Sequence, residues 1–254
     1  MKKPLPFSLM ILSLLSACNT APSVAPTAAW RYSVPEQPEA TSGNTDKPGW
    51  AYQRQAVAAA NPLATDAGHQ ILRAGGSALD AAIAVQLVLG LVEPQSSGIG
   101  GGAFLLHFDG QKVTAHDGRE TAPAGAQSDM FVGDNGKPLT FDDAVLSGHA
   151  VGVPGAMRML EAAHRQHGVL PWGQLFAPAI TLAEQGFKVS PRLHALLQAD
   201  PHLKKDPLAL RFFYNDQGQA WPVGHVLRNP EYGHVLRRMA SEGSRALHQG
   251  PVAE

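Results

Sequence analysis

The chain has 254 residues, with 20 Lys and Arg against 21 Asp and Glu, a formal net charge of −1. That balance supplies no general basic field for a polyanion and argues against a nucleic-acid partner. With 44% hydrophobic and 16% charged residues it excludes wholesale disorder, and a single Cys excludes an intrachain disulfide and a Cys-based zinc cluster.

Lys2 and Lys3 precede an apolar run from Phe7 to Leu15. At about 1.5 Å per residue this run is too short for a hydrocarbon core of roughly 30 Å, so it reads as the h-region of a signal peptide. Leu15-Ser16-Ala17-Cys18 resembles the bacterial lipobox, in which the Cys is lipidated and becomes the new N-terminus. Residues 1–18 are therefore expected to be a lipoprotein signal peptide with Cys18 as the lipid attachment point. An ordinary signal peptide with an incidental Cys is the alternative. Asn19, in place of Asp, points to the outer membrane, so the expected location is the periplasm with a lipid anchor. Residues 19–53 are rich in Ala, Pro, Ser, Thr and Glu with little periodicity, and read as a flexible tether carrying a few isolated aromatics.

Order is expected from about residue 54. Asn61-Pro62 reads as an N-cap with Pro in the first turn, opening a helix through about Ala74 that Gly75-Gly76 stops. Ser77 caps a second helix, from about Ala78 to Leu91. Its Leu79, Ile83, Val85, Leu87, Val88, Leu89 and Leu91 surround most of the circumference, the pattern of a buried helix. Glu93-Pro94 ends it. Phe104–Phe108 and Lys112–His116 read as strands flanking Asp109-Gly110, a hairpin signal for a type I′ turn with φ > 0 at both central residues. The remainder reads mostly helical. Helices open at Pro154-Gly155 (to about His167), Pro171-Trp172 (to Gly186), Ser190-Pro191 and Pro230 (to about Ala240), with a turn at Asn215–Gly218.

Little of this carries obvious chemistry. Gly98, Gly100 and Ala103 nearly match a dinucleotide fingerprint. That fingerprint joins a strand to a following helix, whereas here a helix precedes and a strand follows. Among eleven His, the pair at helical spacing, His164 and His167, reads as a solvated helix face. No Ser, Thr or Cys comes with an evident activating base. Arg119 lies just past the hairpin, and its planar fork suits a carboxylate. On the residues alone, a pair with Glu120 or a surface acid is the simpler account.

Several ordered blocks change that weighting. They are Ala59-Ala60-Asn61-Pro62-Leu63-Ala64-Thr65, Ile71 through Ala82, Glu93-Pro94-Gln95-Ser96-Ser97-Gly98-Ile99-Gly100-Gly101-Gly102, and Asp117-Gly118-Arg119-Glu120-Thr121-Ala122-Pro123. Further matches are Gly152-Val153-Pro154-Gly155, His167-Gly168, Pro171-Trp172 and Ala183 through Phe187. From about residue 55 onward the chain resembles the N-terminal part of the gamma-glutamyltransferase (gamma-glutamyltranspeptidase) precursor. The resemblance implies an α/β (α+β) fold, part of the four-layer αββα sandwich of N-terminal-nucleophile hydrolases. It implies self-cleavage into two subunits and a new N-terminal Thr that attacks a γ-glutamyl amide, with its own α-amine as base. The acyl group then passes to water or to an amino acid or peptide acceptor. No cofactor or metal is called for. By the same resemblance Arg119 binds the α-carboxylate of the γ-glutamyl donor, glutathione or a related compound. The Thr-x-His-like junction does not occur up to Glu254. The nucleophile is therefore expected beyond Glu254 and within a small subunit from the same precursor. Residues 54–254 are expected to be an incomplete, inactive domain. A cephalosporin acylase-like enzyme and a non-catalytic surface lipoprotein are the alternatives.

Overall fold

The structure, a computed structural model, describes residues 51–254. The expected signal peptide with Cys18, and nearly all of the expected tether, lie outside the described residues. Among those described, mixed helix and sheet is observed, as the sequence implies.

Helix α1 (Pro62–Arg73) starts where expected. Asn61 is extended, and its Oδ1 accepts from the Leu63 N–H at 3.0 Å. Helix α2 (Ala78–Val92) carries a capping box in which the Asp80 N–H donates to Ser77 Oγ and the Ser77 N–H to Asp80 Oδ2. Leu79, Ile83, Leu87, Val88 and Leu91 are buried. Strands β1 (Ala103–Phe108) and β2 (Val113–Gly118) form an antiparallel hairpin in which Ala103 faces Gly118 and Phe108 faces Val113.

The turn of this hairpin differs from the expected type I′. Only Gly110 has positive φ, at +100°, and no described non-Gly residue does. The tight loop is centred on Gly110-Gln111, the pattern of a turn with Gly at its first central position. Asp109 avoids the left-handed region because its carboxylate does the closing, with Oδ1 accepting from the N–H groups of Gln111 and Lys112 at 2.8 Å.

Helices α3 (Phe141–Leu146) and α4 (Ala156–His167) follow, then a short 3₁₀ turn at Trp172–Phe176 that runs into α5 (Ala177–Gln185). A two-residue strand β3 (Phe187–Lys188) pairs with β4 (Val226–Leu227), a pairing the mostly helical reading missed. Between them lie α6 (Pro191–Ala199) and α7 (Pro207–Phe213), and α8 (Pro230–Glu242) comes last. Helix α2 lies centrally, touching α1, α4, α5 and the Trp172–Phe176 turn, while α8 packs on α5.

Two polar ties organise this apolar centre. Asp80, fully buried, accepts not only from Ser77 but from the N–H groups of Val169 (3.0 Å) and Leu170 (3.1 Å), which fixes the chain after α4 against the start of α2. His164 joins this tie, its Nε2 lying 2.9 Å from the Leu170 carbonyl and 3.5 Å from Asp80 Oδ1. His167 instead stacks on His107 of β1, with ring centroids 4.1 Å apart. The two His are therefore packed against neighbours and do not form a solvated face. Helical periodicity alone could not show which neighbours would cover them.

The second tie joins α4 to the chain beyond α8. Glu161 Oε2 accepts from the N–H (2.8 Å) and hydroxyl (2.5 Å) of Ser244, and Oε1 accepts from Arg165 Nη2 at 2.6 Å. Desolvation raises the Glu161 carboxyl, but the Ser244 and Arg165 donors together outweigh it and hold the group below the usual glutamate range. A depressed carboxylate stabilises the fold above its unfolded pKa, and that contribution is lost as pH falls through the folded value. Glu161→Gln should therefore destabilise the intact protein by about 1–2 kcal/mol at pH 7. In denaturant titrations the gap to wild type should narrow as pH drops below the usual glutamate range. A gap independent of pH would show that the ionised form is not what stabilises.

Candidate functional site

The candidate site is the junction of three segments: the glycine-rich loop after α2, the end of β2, and the loop before α4. The hairpin register delivers Gly118 opposite Ala103, so Arg119 and Glu120 emerge beside Gly102. The approach is close. A Cβ on Gly102 would overlap the Glu120 carboxylate and lie 2.9 Å from Arg119 Cα. Any side chain there would push Arg119-Glu120 off the loop. From the other side, Thr121 and Val153 pair as an isolated bridge, the Thr121 N–H donating to the Val153 carbonyl and the reverse bond measuring 2.8 Å. The N–H groups of Gly155 and Ala156, at the start of α4, donate to the Gly101 carbonyl at 3.2 and 3.1 Å. The three segments thus hold each other through backbone bonds.

Arg119 is placed on this frame by its own backbone, its N–H donating to Asp117 Oδ1 at 2.9 Å. Its side chain is 66% exposed, and Nε lies 3.6 Å from Glu120 Oε2. The simpler expectation, a pair with Glu120, is met in position. At that distance and exposure, however, the contact is not a hydrogen bond and contributes little. The guanidinium therefore remains available to an external carboxylate, for which its fork is suited.

The start of the glycine loop is held by a residue that the sequence reading treated only as a helix stop. Glu93 is 2% exposed and ends α2. Its Oε1 accepts from Asn61 Nδ2 at 2.9 Å, and its Oε2 from Gln95 Nε2 at 2.6 Å and Arg192 Nε at 3.1 Å. Its carbonyl accepts from the N–H groups of Ser96 and Ser97. Gln86 adds a bond from Nε2 to Ser97 Oγ at 2.8 Å. The available signal was an acid closing an all-apolar helix, since a buried carboxylate there requires donors brought from elsewhere. Arg192, which lies 99 positions along the chain, carries no local mark of this role. Among the described residues no group of three or more His, Cys, Asp and Glu is arranged to hold a metal.

A family model described as gamma-glutamyltranspeptidase matches residues 64–254. The glutathione hydrolase proenzyme of Bacillus subtilis (strain 168) is 38% identical over 200 residues, covering 78% of this chain and 34% of that protein. The chain thus spans about a third of the length of the curated relatives it matches. The crystal structure of Helicobacter pylori gamma-glutamyltranspeptidase superposes with a TM-score of 0.75 at 30% identity, over 81% of this chain and 59% of that one. The crystal structure of a cephalosporin acylase from Bacillus halodurans gives 0.61 at 30% identity, over 82% and 40%. The match runs across the glycine loop, Arg119 and α4, and by it the chain belongs to the gamma-glutamyltranspeptidase family.

Proposed function

We propose that this chain supplies the donor-recognition part of an enzyme that transfers or hydrolyses γ-glutamyl groups of glutathione and related compounds. The observation that carries the reading is Arg119, an exposed guanidinium held at the rim of the glycine loop with Glu120 beyond hydrogen-bond distance. In this reading the donor's α-carboxylate takes the Arg119 fork, which turns its side-chain amide toward the nucleophile. Binding at that remote end converts directly into orientation of the reacting carbonyl. In this reading the nucleophile is a Thr freed by self-cleavage of the whole precursor. Acyl transfer then goes to water or to an amino acid or peptide acceptor. The 0.61 superposition on a cephalosporin acylase keeps one second reading, an acylase of different acyl preference.

In the whole protein, Arg119→Ala should leave self-cleavage intact, because the guanidinium makes no contact that holds the loop frame. It should lower kcat/KM for a γ-glutamyl anilide by the loss of a charge-assisted bidentate pair, about 2–5 kcal/mol, or thirtyfold and more. Arg119→Lys, keeping charge without the fork, should recover only part. Unchanged kcat/KM in a processed Arg119→Ala protein would remove Arg119 from the site. Retained activity on acyl substrates that lack an α-carboxylate would favour the acylase reading.

We further propose that the precursor is lipidated at Cys18 and held at the outer membrane facing the periplasm, on the strength of Leu15-Ser16-Ala17-Cys18 after a short apolar run. Cells fed labelled fatty acid should label wild type and not Cys18→Ala, and the variant should leave the membrane fraction. Equal labelling and equal partitioning of the two would rule the anchor out.

A further inference from the structure

A cavity of about 290 Å³ lies between α4 and the chain that follows α8, and none of its lining residues belongs to the glycine-loop site. Its wall holds two carboxylates and three guanidiniums, and the carboxylates are already spent. Glu161 is saturated by Ser244 and Arg165. Both oxygens of Glu242 accept from Arg238, at 2.9 and 3.0 Å. The cations are not spent in the same way. Arg158 makes no hydrogen bond or ion pair among the described residues. Arg245 uses only Nε, which donates to the Glu242 carbonyl at 3.1 Å and leaves its terminal nitrogens without a hydrogen-bond acceptor. His248 brings a third unmet group, a buried ring Nε2 with no partner.

Arg158 and Arg245 are exposed and hold their spare nitrogens toward solvent, whereas the buried His248 Nε2 costs free energy until a partner reaches it. Here such nitrogens come from α4 and from the segment after α8, and they line one small volume. What satisfies several N–H donors from different directions, and carries charge to match spare guanidiniums, is a compact oxyanion with acceptors on every side. We infer that this cavity binds a phosphate group, held by Arg158, Arg245 and His248. Such a ligand would bridge α4 to the chain beyond α8, alongside the Glu161–Ser244 tie, and would stabilise the folded protein by mass action.

The test is calorimetric titration and thermal melting of the intact protein with inorganic phosphate, against chloride at equal ionic strength. Glycerol 3-phosphate serves as a second probe, to separate free phosphate from a phosphate ester. Saturable binding tighter than about 10 mM, with a rise in Tm that chloride does not reproduce, is expected for at least one probe. Arg158→Gln, which removes no contact of the fold, should melt as wild type does without phosphate and bind about tenfold more weakly. Arg158→Lys should fall between the two. No saturable binding of either probe, or equal affinity in wild type and Arg158→Gln, would overturn the assignment.

Discussion

Helix α2 is apolar on nearly every side, so hydrophobic burial holds it inside the molecule but cannot choose its rotation or register. That choice falls to its two ends, each closed by a buried carboxylate. Asp80 sits in the first turn, where the helix dipole favours negative charge, and its spare capacity captures the Val169 and Leu170 N–H groups. Glu93 sits at the other end, where the dipole opposes it. Three side-chain donors, from Asn61, Gln95 and Arg192, offset that cost and the cost of desolvation. Both ends therefore recruit chain segments distant in sequence: α4's exit at one, α1 and α6 at the other.

The glycine loop inherits its position from this arrangement. It leaves α2 at Glu93, whose carbonyl and carboxylate shape the first turn, and it is caught again at Gly101 by the first N–H groups of α4. Arg119 stands beside this loop through its backbone, held by the hairpin register and by the N–H it donates to Asp117 Oδ1. Its guanidinium is consequently spared any structural duty, which leaves it free for a ligand. A fully paired, buried Arg in the same place would have to break a costly contact before it could bind anything.

The same separation of duties recurs at the far side of α4. Glu161 and Glu242 satisfy donors that hold the fold, and Arg158 and the terminal nitrogens of Arg245 are left over. Charge is thus distributed so that the carboxylates are structural while several guanidiniums are not. The near-neutral net charge of −1 conceals this local asymmetry completely.

Local rules determined the element boundaries they govern. Asn61, Ser77 and Ser190 are N-caps because a short oxygen reaches the next free N–H. The continuous apolar surface of residues 78–92 already meant burial. The order of blocks from Asn61 to Phe187 also determined the family and singled out Arg119. Tertiary structure alone decided the rest. It decided that His164 turns to Asp80 and Leu170, that His167 stacks on His107, and that Val226–Leu227 pairs with Phe187–Lys188. It decided that Arg192 reaches Glu93, and that Asp109 closes its turn through a carboxylate in place of a left-handed backbone. Each of these depends on which surface covers a side chain, or on which donor arrives from a distant segment. A sequence window senses neither, because periodicity records only that a residue has a face and not what lies against it.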